Sequence, residues 1–196
     1  MLRFISICQF LIAWALSATS AYAEPLDRET IANLVVPPYA LGDPINENGV
    51  WSLLNSGGAE AGYVFETEPM SPLPGFSGTP INLLVMLDLN GVFIDVQLIA
   101  HNEPIFVSGL GEAAFHKFFE QYPGLSINSS IVVGTPYGSG SENSTLVYLD
   151  GVTKATASVR IAHESILAAT LKSLGKKCKV FAPKHPPIPK KITMKT

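Results

Sequence analysis

Apolar and polar positions repeat with two different periods along the chain, and the changes of period mark its elements. Asp27 to Leu34 opens on a helix-capping residue and is followed by Pro37-Pro38, so it predicts a short helix. Gly49 to Leu54 is apolar but too short to assign. Gly62 to Thr67 is rich in aromatic and β-branched residues and predicts a strand. Met70 to Pro80 is a Pro/Gly/Ser loop. Asn82 to Asp88 and Val92 to Ala100 predict two strands joined about Asn90-Gly91, residues that tolerate positive φ in a hairpin turn. Gly111 to Tyr122 predicts a helix, because Ala114, Phe115, Phe118, Phe119 and Tyr122 recur at helical spacing and Pro123-Gly124 closes it. Ser130 to Val133 and Thr145 to Leu149 predict short strands around a glycine and serine loop, Thr135 to Asn143. Ala157 to Leu174 predicts the last helix. Its Val159, Ala162, Ile166, Ala169 and Leu174 share a face, and Gly175 takes the position just past its end. The sum is a single α+β domain with a mainly antiparallel sheet and flanking helices.

The two ends of the chain alter this picture. Arg3, the apolar run Phe4 to Leu16 and Ala21-Tyr22-Ala23 compose a secretory signal, residues 1–23, with cleavage after Ala23. The run falls short of the ~20 residues that span a bilayer. Export would place the domain, residues 24–174, in the periplasm or outside the cell. Cys8 lies in the signal, so Cys178 alone would remain and no intrachain disulfide could form. Residues 175–196 hold seven lysines, four prolines and no acid, whereas 24–174 holds all sixteen acids against five bases. The acidic body argues against nucleic acid as partner. The basic tail predicts a disordered segment, either without a role or able to contact an acidic partner or anionic membrane surface.

Asp150-Gly151-Val152-Thr153-Lys154-Ala155-Thr156-Ala157-Ser158 lies between a predicted strand and the last helix. It carries three hydroxyls in six residues. A helix start offers unpaired N–H groups and the positive end of the macrodipole, which suit a phosphate. The same residue types also cap helices, and the residues alone leave both readings open.

The stretch resembles the flavinylation site of the FMN-binding domain in NosR/NirI-type proteins and in the NqrC and RnfG subunits. There the pattern runs Asp-x-x-(Ser/Thr)-Gly-Ala-Thr, and a flavin transferase of ApbE type joins the FMN phosphate to the last Thr. Position by position, Asp150 opens the motif, Thr153 is the Ser/Thr, Ala155 the Ala and Thr156 the acceptor; Lys154 stands where Gly is usual. Two further segments match in order. One is Gly62-Tyr63-Val64-Phe65, followed by Gly75-Phe76-Ser77-Gly78-Thr79-Pro80. The other is His101-Asn102-Glu103-Pro104-Ile105. The likeness covers roughly Gly62 to Leu174.

The resemblance implies a periplasmic electron-transfer flavoprotein, without catalytic residues of its own, that works with a membrane or periplasmic redox partner, in respiration. Thr153, Ala155 and Ser158 would hold the phosphate, and Asp150 would fix the loop or serve transferase recognition. Lys154 would either pair with the phosphate or disturb the loop. His101 and Glu103 would line the flavin site. Two other classes remain: a flavin-dependent reductase of small molecules, and a flavin-free regulatory or binding module of the same fold. His101, Glu103 and His116 match no standard spacing of metal ligands. Ser108-Gly109-Leu110-Gly111 lacks the context of a dinucleotide site and reads as a helix entry. His163, on the last helix, would face the flavin or solvent.

Overall fold

The computed structural model describes residues 24–134 and 146–175. The expected signal, the loop Thr135 to Asn143 and the basic tail beyond Gly175 lie outside the described residues.

Asp27 caps α1 (Arg28–Leu34): its carboxylate accepts from the Thr30 N–H at 2.7 Å. That bond holds the Asp27 carboxyl below its ordinary value. Five strands follow in an antiparallel sheet whose spatial order is the chain order: β1 (Ala40–Pro44), β2 (Trp51–Leu54), β3 (Glu60–Glu66), β4 (Asn82–Asp88) and β5 (Phe93–Ala100). The ambiguous Gly49 to Leu54 segment is thus mostly strand. The Asn90-Gly91 turn joins β4 to β5, with Gly91 at φ 76° and the Asp88 carboxylate accepting from the N–H of Asn90 and Val92. The composition of β1 hid it, since Gly42, Asp43 and Pro44 are turn residues. Pro44 is tolerated because β1 is an edge strand whose register shifts between Leu41 and Pro44.

β4 explains why Leu83 to Leu87 is unbroken in its apolar character. Side chains alternate across a strand. Leu83, Val85 and Leu87 join the main core with Phe65, Phe93 and Val96. Leu84 and Met86 join a second cluster with Leu53, Val64 and Ile31 of α1. The sheet is therefore covered on both faces. Burial of each such side chain contributes about 1.5–3 kcal/mol.

The main core is completed by α2 (Thr67–Met70), a π-helical turn Phe106–Leu110, α3 (Ala113–Phe119) and α4 (Thr156–Ser173). Phe115, Phe118 and Phe119 are all buried, as their spacing implied, and Phe106 stacks on Phe115 with centroids 4.1 Å apart. Tyr122 lies past the end of α3, in a turn, yet is fully buried against Phe93. β6 (Ser130–Val133) and β7 (Leu146–Leu149) pair in parallel as a separate two-stranded sheet. Val159, Ala162, Ile166 and Ala169 of α4 are buried, Leu174 half-buried, and Gly175 follows at φ 59°. The fold is α+β, with its larger sheet wholly antiparallel.

His163 is buried, with both ring nitrogens engaged inside the fold. Its Nε2 lies 3.0 Å from the Ile131 carbonyl, which can only accept, so Nε2 carries the proton. Nδ1 then accepts from the Tyr122 hydroxyl at 2.8 Å. Burial lowers the His163 pKa from its ordinary value and pushes the Tyr122 phenol up. The neutral ring pins α4 to β6 and to the aromatic cluster.

Candidate functional site

Strand β7 delivers the chain to Asp150, where a side chain of the α3 region takes hold of it. Gln121 accepts from the Asp150 N–H at 2.7 Å and donates to the Asp150 carbonyl at 3.1 Å. The loop is thus fixed at Asp150, but through its backbone; the carboxylate is exposed. Gln121 escaped the sequence reading, because a Gln at a helix end carries no signal of the segment it will bridge.

The chain then turns. Ala155 N–H donates to the Val152 carbonyl at 3.0 Å, and the third residue of this turn, Lys154, has φ 72°. Lys154 is the only non-glycine with positive φ among the described residues. Turns with positive φ at the third position select Gly, because a Cβ crowds the backbone there at about 1–2 kcal/mol. Glycine at the corresponding motif position therefore has a conformational reason. The Lys154 side chain is exposed.

Helix α4 starts one residue later. Its cap position is Ala155, whose side chain makes no bond to the helix start. The capping reading of the hydroxyls does not hold. The first turn of a helix leaves N–H groups without intrahelical partners, and here they share the positive dipole end with an exposed Thr156 as the first helical residue. Thr153 is also exposed, whereas Ala155 and Ser158 are buried.

Ser158 leads to the centre of the arrangement. Its hydroxyl donates to Glu103, whose side chain is wholly buried. The other carboxylate oxygen accepts from the Ser77 N–H at 3.3 Å and the Ser77 hydroxyl at 3.5 Å. Gly75 lies so close that a Cβ there would meet this oxygen at 2.3 Å. One carboxylate therefore ties the Gly75–Thr79 turn, the His101–Pro104 turn and the first turn of α4. The three segments singled out from sequence meet at Glu103.

His101 sits beside them, with 4% of its side chain exposed. Its Nδ1 accepts from the Glu103 N–H at 3.1 Å, which places the proton on Nε2. Its ring meets Phe115 edge-on at 5.3 Å, and Nε2 points toward Glu112 at 3.5 Å. His101 shapes the turn that presents Glu103. A solvated His101 is ruled out by this burial. No group of three or more candidate metal ligands forms among the described residues. No helix among them is long and apolar enough to cross a membrane.

Fold and site together define an α+β domain in which a glycine-type turn leads to the start of α4. Two curated relatives are similar to the chain. The chain is 33% identical over 159 residues, 81% of its length, to regulatory protein NosR of Pseudomonas aeruginosa. It is 33% identical over 116 residues, 59% of its length, to regulatory protein NosR of Stutzerimonas stutzeri. Over those spans it is similar to NosR-type proteins. It spans 21% and 15% of those relatives. No protein-family model matches. Shewanella oneidensis NqrC is a structural neighbour at a TM-score of 0.44 and 14% identity, with 76% of this chain and 70% of that one covered.

Proposed function

We propose that this domain is an electron-transfer flavoprotein that carries FMN, joined through its phosphate to the Thr156 hydroxyl. The observation that carries the reading is the open start of α4: an exposed Thr156 as first helical residue, with uncapped N–H groups behind a turn that holds Lys154 at φ 72°. The residues present fit a phosphate. Exposed hydroxyls stand at and just before the helix start, and the dipole favours negative charge. Thr153 adds a second exposed hydroxyl, and Lys154 supplies the cation that the usual Gly would not. Ser158 serves by holding Glu103 rather than the phosphate, and Glu103 and His101 position the helix start.

A bound flavin supplies the redox chemistry; the protein supplies attachment, orientation and tuning. The chain would be exported behind its signal and modified by a flavin transferase of ApbE type. It would exchange electrons with a membrane or periplasmic partner, toward which the basic tail adds electrostatic attraction. The relatives' designation as regulatory proteins favours one second reading, a flavin-free module. Absorbance in the flavin bands that survives denaturation and gel filtration, after co-expression with a flavin transferase, is the expected result. A colourless protein under those conditions supports the flavin-free module.

A further inference from the structure

Helix α4 ends beside a groove that the flavin reading does not use. The Lys172 Nζ donates to the Met70 carbonyl at 2.6 Å, and Met70 follows Pro69, which lines the groove. The cavity there is about 310 Å³. Trp51, Ile31, Pro25 and Pro69 give it apolar surface, and Glu47 and Glu66 give it two carboxylates, with no Lys, Arg or His among the lining residues. Trp51 is half-buried, and the Arg28 guanidinium lies over its ring at 5.3 Å while donating to the Gly42 carbonyl at 2.9 Å. Glu66 is 5% exposed. Its two oxygens accept from the Leu26 N–H at 2.8 Å and the Asn82 amide at 2.7 Å, both neutral donors. It has no ion pair among the described residues. A buried charge without a counter-ion is costly, so the groove favours a cationic occupant.

We infer that this groove receives the chain's own segment Pro183 to Lys190. Residues 176–196, outside the described residues, hold seven lysines and no acid, so their charge is opposite to that of the groove. Pro183-Lys184-His185-Pro186-Pro187-Ile188-Pro189 favours the polyproline II helix, which docks on aromatic-lined grooves at a low cost in conformational entropy. Trp51 with Pro25 and Pro69 supplies such a surface, and Lys184 brings positive charge toward Glu47 and Glu66. The tether is long enough. The chain leaves α4 at Gly175, and the seven residues from Lys176 to Ala182 reach up to about 25 Å. Tethering raises the effective concentration of the segment to about millimolar, so a weak contact suffices. Lys191 and Lys195 lie beyond the docked segment and remain available to a redox partner. The inference holds with or without a flavin at Thr156.

Trp51 reports on the groove directly, because it is the only tryptophan of the exported chain from Glu24. The test measures its emission and its quenching by acrylamide in three forms. These are the exported chain, a form ending at Gly175, and a full-length form carrying Pro183→Gly, Pro186→Gly, Pro187→Gly and Pro189→Gly. The exported chain is expected to emit further to the blue and to resist quenching. Both variants are expected to shift to the red and to quench more strongly, and a synthetic peptide of residues 176–196 should restore the shielding of the form that ends at Gly175. The glycine form leaves every residue of the groove in place, and it decides the matter if the truncated form does not fold. Equal emission and quenching in all three forms, or a peptide without effect, overturns the inference. Shielding of the exported chain that is lost on dilution also overturns it, since the tail would then sit on a second copy.

Discussion

The domain starts two of its helices in opposite ways. At α1, the Asp27 side chain meets a free N–H at 2.7 Å, and the helix start is closed. At α4, Ala155 holds the cap position, Lys154 precedes it at φ 72°, and the helix start is open. The helix α2 is closed too, because the Asn82 side chain accepts from the Glu68 N–H. α1 spans seven residues with one buried residue, Ile31, so its ends matter to its stability. α4 spans eighteen residues and buries Val159, Ala162, Ile166 and Ala169. Tertiary packing holds α4, which leaves its start free for another use.

Substitutions at four positions break or sharpen this contrast, in falling order of effect. Ile166→Ala removes the centre of the buried stripe and is expected to destabilise by about 2–5 kcal/mol in urea unfolding. A loss under 1 kcal/mol would show that packing does not hold α4. Glu103→Ala unties three segments and leaves Ser77 and Ser158 unmatched, at a cost of about 2–4 kcal/mol. Glu103→Gln should lose much less. Its amide can donate to Ser158 while its carbonyl accepts from Ser77, whereas equal losses would locate the effect in charge. Lys154→Gly relieves the positive φ and should raise stability by about 0.5–1 kcal/mol, after the entropy of Gly is set against the relief. A lower melting temperature would mean that the Lys154 side chain contributes contacts that outweigh its strained turn. Asp27→Ala should shift melting least, and only α1 should fray in hydrogen exchange.

His163 adds a pH dependence on the core side of α4. Its folded pKa is lowered by burial, so the unfolded chain binds the proton more readily. The associated stability is complete above the ordinary His value of about 6.5 and is lost as pH falls through it. Urea midpoints should fall from pH 7 to pH 5 in the wild type. A His163→Gln variant should show a flatter profile over that window.

The sequence displayed some of this plainly and hid the rest for physical reasons. Elements with strong periodicity were legible: β4 and β6 are bounded as expected, and α4 is displaced by one residue at each end. The helix expected over Gly111 to Tyr122 is shorter, Ala113–Phe119, because a π-helical turn precedes it and Tyr122 is buried from a turn rather than a helix. Burial and helical spacing coincide in that segment only up to Phe119. Strand β1 was illegible because an edge position tolerates Gly and Pro. Thr156, Ser158, Glu103 and His101 were all singled out from sequence. Their division into exposed and buried was not legible, since both kinds are polar and only tertiary contact separates Thr156 from Ser158. Gln121 was invisible because its partner is a backbone twenty-nine residues away.

The central claim is that the open start of α4 takes a flavin phosphate on one particular hydroxyl. Intact mass spectrometry of wild type, Thr156→Val and Ser158→Ala, each co-expressed with a flavin transferase, tests it directly. The wild type should gain one FMN unit less water. Ser158→Ala should keep that gain because its hydroxyl is buried against Glu103. Thr156→Val, which keeps the side-chain shape without the hydroxyl, should lose it entirely. An unmodified wild type, or an undiminished mass gain on Thr156→Val, would contradict the account.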